Sequence, residues 1–170
     1  MGYIRRLLPI LISFQLLYVP PNKHAVELFA GERQVSKNLL LMGYVVQSFD
    51  ELINKHHNFL TDSGFIVSVV AVMTTCMYGV IWLAPPCSSW VWLSRYSTGR
   101  HLHVLGDLLN IKVQEQNKLV GRLCYIIILA IKRQIYFIIE QPAKSIMWEH
   151  PRLKAILHKY KEPPRTYRIL

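Results

Sequence analysis

With 170 residues, 52% of them hydrophobic, the chain is long enough for one domain with a substantial core, and its composition excludes intrinsic disorder. Lys and Arg number 20 against 10 acidic residues, a net charge of +10 that suits a polyanion, nucleic acid or an acidic membrane surface, as well as a solvated basic face. The three cysteines, Cys76, Cys87 and Cys124, have no metal-type spacing, so neither a disulfide framework nor a zinc site is expected, and a reducing compartment fits.

The chain opens with Arg5-Arg6 and an apolar run from Leu7 to Val19, the outline of a secretory signal. It has no small-x-small cleavage site and ends at Pro20-Pro21, so residues 1–21 read as a packing helix or an extension outside the domain. A signal or membrane anchor is the alternative. Residues 22–170 then alternate strands and helices. His24–Phe29 is a first strand ending at Ala30-Gly31. Gln34–Met42 has helical spacing, with Val35, Leu39 and Met42 on one side, and Gly43 stops it. Tyr44–Phe49 is a second strand, followed by Asp50-Glu51, and residues 52–61 form a loop or short helix.

Asp62 or Ser63 caps a helix over Gly64–Met77, and Val80–Ala84 is a third strand closed by Pro85-Pro86. The uncharged stretch Phe65–Leu83 is long enough to span a bilayer, but Ser68, Thr74, Thr75 and Gly79 interrupt it, and a buried helix followed by a buried strand is expected. Residues 90–112 are irregular, with Trp90, Trp92, Arg95, Tyr96 and Arg100 interleaved. Val113–Lys132 is a long helix and Ile135–Ile139 a fourth strand, followed by Glu140-Gln141-Pro142. The basic remainder carries Arg152, Lys154, Lys159, Lys161, Arg165 and Arg168 against Glu162.

This rhythm implies an α/β fold, a Rossmann-like three-layer αβα arrangement around a mainly parallel sheet. Such sheets bind ligands beyond the carboxyl ends of their strands. Gly31, Asp50, Cys87 and Glu140 each follow a different strand, so all four fall on that edge. A glycine after a strand lets backbone approach a cofactor, and an acid about 20 residues on can hold ribose hydroxyls. Asp50 stands 19 residues after Gly31. The double proline fixes the turn that presents Cys87, and a carboxylate directly after an apolar strand, as Glu140 is, can serve as an acid.

Together these residues resemble the DNA cytosine-5 methyltransferases. Glu27-Leu28-Phe29-Ala30-Gly31 is similar to that family's S-adenosylmethionine-binding motif, Pro86-Cys87 to its Pro-Cys nucleophile motif, and Glu140-Gln141-Pro142 to its Glu-Asn-Val motif. The resemblance implies S-adenosylmethionine as cofactor at Phe29, Ala30, Gly31 and Asp50. It implies Cys87 as nucleophile and Glu140 as its acid, and DNA or RNA as the partner, met by Ser89, Arg95 and Arg100. It also implies an intracellular protein, nuclear or cytoplasmic. Cys87 should then be more reactive than Cys76 and Cys124, which are expected to be buried in helical runs.

The sequence departs from the family at Arg33, where a second glycine is usual, and at Gln141-Pro142. No counterpart of the family's arginine motif, target-recognition region or closing helix precedes Leu170. The expectation is therefore an incomplete methyltransferase fold: a fragment, or a nucleic-acid-binding module that keeps the fold without turnover.

Overall fold

A computed structural model describes residues 20–160, together with the backbone of residues 167–168. The apolar run up to Val19 and the basic positions Lys161 and Arg165 lie outside the described residues. The elements run β1 (Lys23–Leu28), α1 (Gln34–Leu41), β2 (Val46–Phe49), α2 (Asp62–Met73), β3 (Thr75–Leu83), α3 (Ile111–Lys132), β4 (Tyr136–Ile139), α4 (Pro151–Lys159) and β5 (Tyr167–Arg168), with short 3-10 turns at Lys55–His57, Trp92–Ser94 and Ile146–Glu149. The five strands form one parallel sheet in the order β2-β1-β3-β4-β5.

That order carries the layering. Right-handed crossovers send the chain from β1 to β2 over one face and from β2 to β3, β3 to β4 and β4 to β5 over the other. So α1 packs against β1 and β2, while α2, α3 and α4 pack in sequence on the opposite side. The Rossmann-like arrangement expected from the alternation of elements is the one observed. The core lies between the sheet and these three helices: Val26, Leu28, Ile81 and Leu83 from the strands meet Phe65, Val72, Val120, Leu123, Ile126 and Ile127 from α2 and α3. Each fully buried side chain of this size contributes about 1.5–3 kcal/mol of transfer free energy.

Strand and helix ends shift by one or two residues from the sequence reading in several places, and two differences are larger in consequence. The apolar run Phe65–Leu83 does fold as helix then strand, but the switch comes early: α2 ends at Met73 and β3 begins at Thr75. Thr74 and Thr75 turn their hydroxyls back to the carbonyls of Val70 and Ala71, ending the helix with β-branched residues that suit the strand. Cys76 therefore stands on a strand and is half-buried, not buried in a helix. The helix cap is Thr61, whose hydroxyl accepts from Gly64 N at 3.1 Å, rather than Asp62 or Ser63. Gly64 is needed there, because a Cβ would sit 2.1 Å from the Asn58 carbonyl oxygen.

Among the described residues, no helix is long and apolar enough to cross a membrane.

Candidate active site

Backbone hydrogen bonds knit the carboxyl ends of the strands. Ala30 N donates to Phe49 O at 3.1 Å, Ala84 N to Leu28 O at 3.3 Å, and Glu140 N to Leu83 O at 2.8 Å. Each bond lies just past the last ladder pair, so the loops leave the sheet side by side. Gly31 N donates to Asp50 Oδ2 at 3.0 Å, which joins the two positions singled out on β1 and β2. Leu52 N takes Asp50 Oδ1 at 2.8 Å. A carboxylate has about four acceptor sites, so two remain for a ligand's hydroxyl groups.

The turn after β1 is tightly wound. Phe29 and Arg33 both lie in the left-handed region, at φ 62 and φ 60, with Gly31 at φ 47 between them. Arg33 thus adopts the backbone that a glycine would take more cheaply, which gives the departure at this position its physical content. Its Nε reaches Ser48 Oγ at 3.3 Å. Glu27, at the head of the motif, is buried: its carboxylate accepts from Ser36 N at 2.9 Å and from the Ser36 hydroxyl, docking the first turn of α1 onto β1. A Cβ on Gly31 would meet nothing within 4 Å, so space opens directly above the turn.

Beside this turn lies a cavity of about 210 Å³. Phe29, Phe49 and Phe59 give it aromatic walls, Asp50 and Glu51 acidic ones, and Pro86 brings the cysteine loop to its rim. Two of its lining residues hold buried polar atoms with no hydrogen-bond partner, Nδ1 of His57 and Oε1 of Gln116. Buried polar atoms are nearly always paired, so these two are exceptions next to the cavity. Aromatic walls and spare carboxylate lone pairs give the cavity apolar faces and hydrogen-bond acceptors. Ala30 and Gly31 do not line this cavity, and Ala30 is buried with its amide on Phe49 O.

The second half of the edge holds Cys87 and Glu140. Both are exposed, Cys87 four residues beyond the end of β3 and Glu140 immediately after β4, the neighbouring strand. Gln141 fixes their loops to each other: its amide nitrogen donates to Pro85 O, and Ser145 Oγ donates to its Oε1 at 3.0 Å. Gln141 thus fills a bridging role that its sequence context did not reveal. Glu140 accepts from Trp82 Nε1 at 3.0 Å, which orients the carboxylate without covering it. Cys124 is buried in α3, and burial pushes its thiol up to about 12.

Residues 88–105 wrap around a buried cation. Trp90 is fully buried, and the Arg100 guanidinium lies 3.4 Å from its ring centroid. Arg100 also donates to Ser89 Oγ at 3.0 Å, to Val104 O at 2.5 Å and to Asn117 Oδ1 at 3.2 Å. Burial lowers its pKa to about 10, which leaves it charged at neutral pH. Arg100 and Ser89, expected on an open nucleic-acid face, are instead occupied inside the loop. Arg95 differs: it is half-buried, sits 4.6 Å from the Trp92 ring centroid, and has a buried Nε without a hydrogen-bond partner. The cluster Trp90, Arg100, Asn117 and His150 escaped sequence reasoning, because its members come from separate loops and helices.

No family model matches the sequence, and no curated protein or solved structure matches it.

Proposed function

We propose that the protein is an S-adenosylmethionine-dependent methyltransferase acting on a cytosine base, with Cys87 as nucleophile and Glu140 as its acid partner. The observation that carries this reading is the shared edge: the Gly31–Asp50 pair and its cavity stand beside two loops, clamped by Gln141, that present a cysteine and a carboxylate. Phe29, Gly31 and Asp50 would hold the cofactor, with His57 and Gln116 offering further polar contacts. Bound there, S-adenosylmethionine supplies an electrophilic methyl group. Cys87 adds to ring carbon 6 and makes carbon 5 nucleophilic, while Glu140 holds a proton at N3 and stabilises the adduct. After transfer, loss of the carbon 5 proton to water would break the bond between the Cys87 sulfur and carbon 6 and return the thiolate.

The test is trapping with an oligonucleotide containing 5-fluorocytosine, whose fluorine cannot leave as a proton does. With S-adenosylmethionine present, a covalent adduct should form and Cys87→Ala should abolish it. A second reading, a nucleic-acid-binding module without turnover, draws on Arg33, which stands in a left-handed conformation where the family has glycine. It expects cofactor or nucleic-acid binding with no adduct.

A further inference from the structure

The largest cavity described, about 960 Å³, lies away from the Asp50 cavity, between the loop after Trp90 and the segment after Pro142. Ligand sites run from about 300 to 1,000 Å³, and this one lies at the upper end of that range. Its lining combines two indoles, Trp92 and Trp148, with the cations Arg95 and Lys144 and the imidazoles of His101 and His103. The acid on its wall, Glu149, is paired with Lys154 at 2.5 Å. Arg100 adds its buried charge from below. Trp92 is 66% exposed, with the Arg95 guanidinium 4.6 Å from its ring centroid.

The cavity is tied to the proposed chemical edge at both walls. Trp90 N bonds Cys87 O at 2.8 Å, two residues before Trp92, and Ile146 N bonds Trp90 O at 2.8 Å, joining the walls. From this geometry we infer that the cavity binds an unpaired stretch of nucleic acid, with bases against Trp92 and Trp148 and phosphates against Arg95 and Lys144. A base in a duplex has both faces covered by its neighbours, whereas an unpaired base offers a face to an indole. Arg95 and Lys144 supply the positive charge on the lining that phosphates would meet. This deepens the proposed function, on which it rests for its purpose: a strand held here delivers a base to Cys87 without the work of extrusion from a helix. The binding itself does not depend on methyl transfer.

The experiment is fluorescence anisotropy of the full chain with labelled 12-mers of single-stranded DNA, single-stranded RNA and duplex DNA, each at two salt concentrations. At least one single strand should bind about tenfold tighter than the duplex, and more weakly at high salt. Trp92→Ala should weaken it by about tenfold. Lys144→Glu, at an exposed position that the fold does not use, should weaken it too and flatten the salt dependence. Equal or tighter duplex binding, wild-type affinity in both variants, or a poly-glutamate peptide that binds as well as the oligonucleotide would overturn the inference. Calorimetry with S-adenosylmethionine reports separately on the Asp50 cavity. Cofactor binding without strand binding sinks only this inference, and strand binding without cofactor binding sinks only the methyl-transfer reading.

Discussion

The two halves of the strand-end edge are built on different principles. The half formed by β1 and β2 is backbone geometry: a left-handed turn, an open space at Gly31, and an amide bonded to Asp50 on the next strand. The half formed after β3 and β4 is side-chain architecture. There Trp90, Arg100, Ser89 and Asn117 hold an irregular loop together, and Gln141 crosses to the neighbouring loop. A ladder of strands fixes the first half almost without regard to the residues nearby. Beyond the β3–β4 ladder the second half is a long irregular loop, so it depends on a few large contacts and is the more fragile.

The largest expected effect follows from that fragility. Trp90→Ala removes a fully buried indole and strips Arg100 of its ring, and should destabilise the protein by about 3–5 kcal/mol in urea unfolding. Unfolding at an unchanged urea concentration would mean that the loop half is not built on this cluster. Asp50→Ala tests the other half and should be gentler. It should weaken S-adenosylmethionine binding by about 1–3 kcal/mol in calorimetry while leaving single-strand binding intact. A loss of both would join two halves that the comparison separates.

At neutral pH the smallest effect is that of His150, which emerges only as pH falls. Burial, with Arg152 and Arg100 adding to it, depresses the His150 imidazole to about 4, so the folded protein binds this proton more weakly than the unfolded chain does. The stability tied to it is fully present above the ordinary histidine value of about 6.5 and is lost as pH falls toward 4, by at most about 3 kcal/mol. His150 stacks edge-on against Trp90, with ring centroids 5.9 Å apart, so His150→Phe should keep the packing and flatten stability over that window. An unchanged pH profile in the variant would assign the loss to other groups.

The same division explains what could be read in the sequence. Alternating apolar runs give parallel strands, the strands give the edge, and Gly31, Asp50, Cys87 and Glu140 follow as strand-end residues, all found there. Arg100 was legible only as a charge. Whether an arginine faces solvent or an indole depends on Trp90 and Asn117, ten residues before it and seventeen after, and no local periodicity encodes that meeting. Gln116 and His57 were invisible for a similar reason: each reaches the cavity from an element whose pattern serves its own packing. Cys76 was misplaced because an uncharged run holds no mark of where 3.6-residue periodicity gives way to alternation.

The start of β3 has a further consequence. Lys23 pairs with Thr75, yet Ala25 pairs with Val80, so five steps along β3 face two along β1. Beyond that mismatch Ala25–Leu28 and Val80–Leu83 run in unbroken register up to the loop that carries Cys87. The sheet keeps its slack at the end remote from the proposed chemistry. The extra residues are closely packed: a Cβ on Gly79 would sit 2.7 Å from the His24 carbonyl oxygen, and Tyr78 N bonds Gln134 O at 2.9 Å. The register shift thus ends before the strand ends that carry Gly31 and Cys87.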